Sequence, residues 1–191
     1  MSDALDRPAL LGTLVQLRRK VDAHFDAAVA RTPSAFACRA GCDACCHQRF
    51  GVFAIEAEPL RRALARLARE TPELRSRIRE QAREQAENPA APDRCPLLVD
   101  GRCAVYDERP LICRSHGLPI AVADPAPRID HCPLNFTDQA PPPASVLRLE
   151  AVNQPLSVLA VLWKKAGPPG DNRTGDLSDE RIPLVDLARE L

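Results

Sequence analysis

Apolar positions set the first element of this chain. Leu10, Leu14, Leu17, Val21, Phe25 and Ala28 recur at steps of four and three, the repeat of one helical face, and predict a helix from about Asp6 to Ala30. Thr32-Pro33-Ser34 ends it. His24 flanks the stripe, where a partly buried structural histidine is expected rather than a ligand. Arg49 to Ile55 is short and rich in strand formers, so it is expected to be extended. Glu56 to Glu70 predicts a second helix, with Pro59 in its first turn and Leu60, Leu64 and Leu67 facing inward. Thr71 as cap and Pro72 at the first helical position then start a third, running to about Glu87.

Between Cys95 and Tyr106, Asp100-Gly101 divides two short apolar runs. This predicts a hairpin, because the turn needs positive φ at its centre and Gly adopts it at little cost. Pairing Val99 with Arg102 sets Leu97 opposite Ala104 and leaves Cys95 and Cys103 near the open end. Asp107 to Pro110 starts a short helix that carries Cys113 and Arg114. Gly117 to Pro143 is proline-rich and expected to be irregular; a loop of that length needs a pin, which a metal bond at Cys132 would supply. Ser145 to Lys165 is expected as helix in two pieces, with Asn153 as cap, Pro155 at the break and Trp163 in the core. The expected fold class is mainly α: a small helical domain over 1–166, with an irregular cysteine-rich metal-binding middle at about 35–135 and one short β-hairpin. From 167 to 191, Pro, Gly, Asp and Asn predict a mobile tail with a short helix near Leu184 to Leu191.

Composition narrows the function. A chain of 191 residues suits one domain with a modest core. Its 26 basic and 26 acidic residues cancel, so no long-range field favours nucleic acid or an anionic membrane, and neither is expected as a partner. Arg61, Arg62, Arg66, Arg69, Arg75, Arg77, Arg79 and Arg83 lie among glutamates and lack aromatic neighbours, which predicts a solvated, ion-paired face. The start of the chain has no secretory pattern. The longest uncharged apolar run, Ala151 to Trp163, is too short to span a bilayer. A cytoplasmic protein is expected, and in that reducing compartment eight cysteines point to metal ligation rather than disulfides. No Ser-His-Asp set, phosphate loop or paired-carboxylate site marks an enzyme.

The cysteines fall into two groups of four. Cys38, Cys42, Cys45 and Cys46 share ten residues with His47, and Cys95, Cys103, Cys113 and Cys132 follow. Thiolates are soft donors for zinc and iron–sulfur clusters, with about four needed per centre, so eight fit two sites or one larger cluster. Packing gives no reason for adjacent thiols at 45 and 46. Neighbouring side chains point apart, which predicts separate destinations: one of the pair joins Cys38 and Cys42, and the other reaches toward the later group. Arg39, Arg94, Arg102 and Arg114 adjoin cysteines and are candidates to offset thiolate charge. His47, His116 and His131 are reserve ligands or hydrogen-bond donors that support the ligands.

The ordered motifs Cys38-x3-Cys42-x2-Cys45-Cys46, Cys95-Pro96-Leu97, Gly101-Arg102-Cys103, Val105-Tyr106, Arg109-Pro110 and Cys113-Arg114 resemble the YkgJ-type cysteine-cluster proteins, to which zinc or iron chelation is assigned. The resemblance covers about residues 35 to 135 and implies a metal-chelating domain; the family pattern has two residues between its first two cysteines where this chain has three. A related cluster occurs in the longer flagellin lysine methylases, whose methyl transfer does not carry over to this shorter chain. Cys38-x3-Cys42-x2-Cys45 also resembles the cluster loop of radical S-adenosylmethionine enzymes, yet Ala44 stands where an aromatic is usual and no alternating strand–helix barrel follows. The function expected is redox or metal handling with an iron–sulfur cluster or zinc as cofactor. The alternative is a zinc-stapled interaction module for an unidentified protein partner.

Overall fold

The first apolar stripe folds as helix α1, Arg7–Arg31, with Leu10, Leu14, Val21 and Ala28 buried. The structure is a computed structural model that describes residues 6–88, 90–123, 125–167 and 181–190. Five further helices follow: α2 (Ala54–Glu70), α3 (Pro72–Glu87), α4 (Leu111–Ser115), α5 (Glu150–Lys165) and α6 (Leu184–Arg189). The strands are short: β1 (Gly51–Val52), β2 (Leu98–Val99), β3 (Arg102–Cys103), β4 (Ile120–Val122), β5 (Arg128–Asp130), β6 (Leu147–Arg148) and β7 (Ile182–Pro183). The protein is mainly α, as its sequence pattern predicts. Among the described residues no helix is long and apolar enough to cross a membrane.

Chain contacts divide the described residues into two compact units, the first from 6–39 and 110–166, the second from 40–109, 167 and 181–190. In unit 1, α1 packs against α4 and α5. His24 takes its expected structural role, with Nε2 lying 3.1 Å from the Ser145 carbonyl oxygen. Trp163 is buried under the Arg7 guanidinium, 4.3 Å from the ring centroid. The stretch expected to be irregular contributes β4 and β5 to a three-stranded sheet of order β5-β4-β6, and β6 takes up Leu147 and Arg148 of the stretch expected to be helical. In this sheet Ala121 pairs antiparallel with Ile129 and parallel with Arg148.

Both helix boundaries near internal prolines differ from expectation. α2 starts at Ala54, so Ile55 is helical rather than extended, and α5 is one continuous helix. Pro59 and Pro155 each stand at the sixth helical position and so would remove one bond each, to the carbonyls of Ile55 and Ala151. That cost lies close enough to the N-terminus for packing to outweigh it: Leu60, Leu156, Leu159 and Trp163 are all buried.

In unit 2 the hairpin has the expected register, Val99 opposite Arg102, and Ala104 donates to the Leu97 carbonyl at 2.9 Å. Asp100 and Gly101 both have positive φ, 51° and 71°, as a two-residue turn of this hand requires. The expected terminal helix is α6, which packs against α3 and α2 while β7 pairs with β1. The expected mobile linker lies outside the described residues, which omit 168–180. Arg75 departs from the solvated face: it is buried and donates to the carbonyls of Ala188 and Glu190. The other pairs are exposed or half-exposed, among them Arg62–Glu58, Arg66–Glu108 and a bidentate Arg77–Asp100. The core joins Val52, Leu60, Leu64 and Ile78 to Leu97, Leu98, Leu184 and Leu187, and includes Cys95.

Candidate metal centre

Four thiols of unit 2 are gathered by backbone. Gly41, at φ +87°, turns the chain into a 3-10 turn, Ala44–Cys46, closed by the Cys46 N–H on the Asp43 carbonyl at 2.7 Å. The Cys46 carbonyl accepts from the Cys95 N–H at 2.6 Å. Cys95 leads into β2 and Cys103 ends β3, so this bond docks the cluster loop on the hairpin's open end. Cys46 and Cys103 then pack against the core that contains Cys95.

The thiols perturb one another. The Cys46 thiol donates to the Cys45 sulfur, which lowers Cys45 to about 6 against the opposing effect of burial; its own backbone amide and the Arg109 charge help. The same hydrogen bond pushes Cys46 well up, and burial and the charges of Cys45, Cys95 and Cys103 add to it. Burial pushes Cys95 up to about 11 and raises Cys103.

Of the arginines, Arg109 bears on both Cys45 and Cys103: its charge helps to lower Cys45 and opposes the rise that burial imposes on Cys103. It lies 3.6 Å over the exposed Tyr106 ring. Arg109 is not adjacent to a cysteine in sequence and follows the 3-10 turn Tyr106–Glu108. Arg114 instead pairs with Asp22 at 2.6 Å. Cys42 is exposed, and His47 is exposed with Nε2 3.6 Å from Asp43.

Unit 1 carries Cys38, Cys113 and Cys132. Phe36 packs between Phe25 and Phe136, with centroids 5.7 and 5.0 Å away, and Phe136 donates its N–H to the Ala35 carbonyl at 2.8 Å. Asn135, fully buried, joins three segments. Its backbone N–H meets the Cys132 carbonyl at 2.9 Å, its Oδ1 accepts from the Ala37 N–H at 2.8 Å, and its Nδ2 donates to the Gly117 carbonyl at 2.7 Å. Nδ2 also lies 3.4 Å from the Cys38 sulfur. Sequence reasoning missed Asn135, since an asparagine in a proline-rich stretch reads as a turn residue. Cys113 is the third residue of α4. His131 Nδ1 lies 3.0 Å from the Cys132 carbonyl, fitting a supporting donor. Burial lowers His116, with Asp130 opposing.

None of the eight cysteines is in a disulfide, and the donor set is soft, as zinc and iron–sulfur centres require. Among the described residues no three His, Cys, Asp or Glu side chains are grouped so that they could hold a metal ion. The arrangement is that of a helical cysteine-cluster protein. The sequence profile of the family described as "CxxCxxCC: Putative zinc- or iron-chelating domain" matches residues 37–132, half of the chain, and the protein belongs to that family. No curated protein and no solved structure matches the chain.

Proposed function

We propose that the protein holds zinc or an iron–sulfur centre through Cys38, Cys42, Cys45, Cys46, Cys95, Cys103, Cys113 and Cys132, and serves in redox chemistry or metal handling. The observation that carries this reading is the gathering of Cys45, Cys46, Cys95 and Cys103 by the Cys46–Cys95 backbone bond. Burial and neighbouring thiols hold Cys46, Cys95 and Cys103 protonated, and a bound cation reverses that cost. Arg109 offsets part of the negative charge that four thiolates would bring. In unit 1, Cys38, Cys113 and Cys132 are the remaining candidates together with Cys42 of unit 2, and His116 is a reserve donor.

Anaerobic purification followed by elemental analysis and a visible spectrum tests the proposal. Retained zinc in a colourless protein, or retained iron and sulfide in a brown one, is the expected result, with metal lost when Cys45, Cys46, Cys95 and Cys103 are changed to Ser. A parent chain that carries no more metal than this variant overturns the reading.

A further inference from the structure

We infer that Asn135 is a positioning residue for a metal-bound Cys38 thiolate, its side-chain amide donating to the sulfur in a cradle that Gly117 keeps open. This rests on the metal-binding reading above. It concerns a residue beyond position 132, where the family match ends.

The amide's orientation is fixed by its neighbours. Oδ1 faces the Ala37 N–H, which only donates, and Nδ2 faces the Gly117 carbonyl, which only accepts. One Nδ2 hydrogen is thereby used, and the other meets Cys38 Sγ at 3.4 Å. Oδ1 stands farther from the sulfur, at 3.9 Å. Because Asn135 is 0% exposed, water cannot take the second hydrogen, and a buried donor without an acceptor is costly. A protonated thiol is a weak acceptor, whereas a thiolate, free or metal-bound, is a strong one. The amide therefore keeps one N–H aimed at the sulfur that would hold the metal.

Gly117 shapes the other side. Its φ is +101°, and a Cβ there would lie 2.8 Å from the Cys38 sulfur and 3.4 Å from Asn135 Nδ2. Any side chain would displace the sulfur as well as strain the backbone. The Phe25 ring stands 3.6 Å from the same point, so the sulfur is held between an aromatic wall, a glycine and an amide.

The test uses the full chain with its native metal and a parallel Co(II)-loaded form. Asn135→Asp replaces the N–H donor by an anion of nearly the same shape. Expected are release of metal to a chelator about 10- to 100-fold faster, as for other residues that hold a ligand in place, and a shifted sulfur-to-cobalt charge-transfer band. A residue that only supports the fold would lower the melting temperature without moving that band. If Asn135→Asp does not fold, Asn135→Ala is measured instead. In either case the effect on release must vanish in a Cys38→Ser background. A folded variant with parental release and an unshifted band, or an effect that persists without Cys38, overturns the inference alone. A parent chain without metal overturns the metal-binding reading and this inference with it.

Discussion

In unit 2 the sulfurs of Cys45, Cys46, Cys95 and Cys103 are placed by backbone, through one bond between the cluster loop and a hairpin whose strands belong to an apolar core. In unit 1 the sulfur of Cys38 is placed by a side-chain amide and a missing Cβ. The difference sets what each neighbourhood is sensitive to. A thiol held through the main chain depends on whatever keeps that main chain folded. One held by an amide depends on a single residue.

Metal removal gives the largest expected effect. Complete chelation should speed proteolysis within 35–50 and 95–135, by roughly 100-fold if the centre is tightly held. Because Cys46, Cys95 and Cys103 also pack in the core, the unit 2 segments should be cut later than the Cys38 and Cys132 segments. Equal cutting times in mass-resolved digests would erase the comparison, and an unchanged digest would remove its basis.

Arg75→Met breaks unit 2 without touching a thiol. The guanidinium holds the last carbonyls of α6, and loss of these charge-assisted bonds should cost about 1.5–3 kcal/mol. Hydrogen exchange should rise at the Leu184 amide, which donates to the Phe50 carbonyl, and stay unchanged at the Ala37 amide bound to Asn135. Faster exchange at Ala37 would show that the two neighbourhoods are not independent.

A smaller effect concerns pH in the metal-free chain. Cys95 is pushed up to about 11 from an ordinary value of 9.0, so its neutral form is favoured by folding. That contribution is fully present below pH 9 and is lost as pH rises toward 11, at most about 2–3 kcal/mol. Chemical denaturation at pH 8 and pH 11 should show the loss, and Cys95→Ala should flatten it. The smallest effect is expected from Arg77→Gln. It removes an exposed pair with Asp100 and should leave both melting temperature and metal content unchanged.

Much of this was legible where local chemistry decides the outcome. The α1 stripe, the Thr71-Pro72 restart and the Asp100-Gly101 turn each carry their conformation in a few residues. The sheet of β4, β5 and β6 was not legible, because Pro119, Pro125 and Pro127 crowd its strands and β6 pairs from more than twenty residues away. Pro59 and Pro155 misled because tertiary packing outweighs one missing bond near a helix start. All eight cysteines stood out as candidates, but the backbone bond that docks Cys46 on Cys95, forty-nine residues later, has no local signal. Asn135 and Arg109 act through space on cysteines, and no spacing rule points to either.

The seating of 181–190 against β1, α2 and α3 has a consequence for synthesis. The last thiol of the unit 2 set is residue 103, yet the segment that completes its core begins at residue 181. Residues 104 to 180 must be made in between, which at about 5–20 residues per second takes roughly 4–15 s. Throughout that interval a nascent chain presents four thiols on an unfinished scaffold. Metal delivered to it on the ribosome would meet ligands without their final support, so loading of this set belongs after residues 181–190 have emerged.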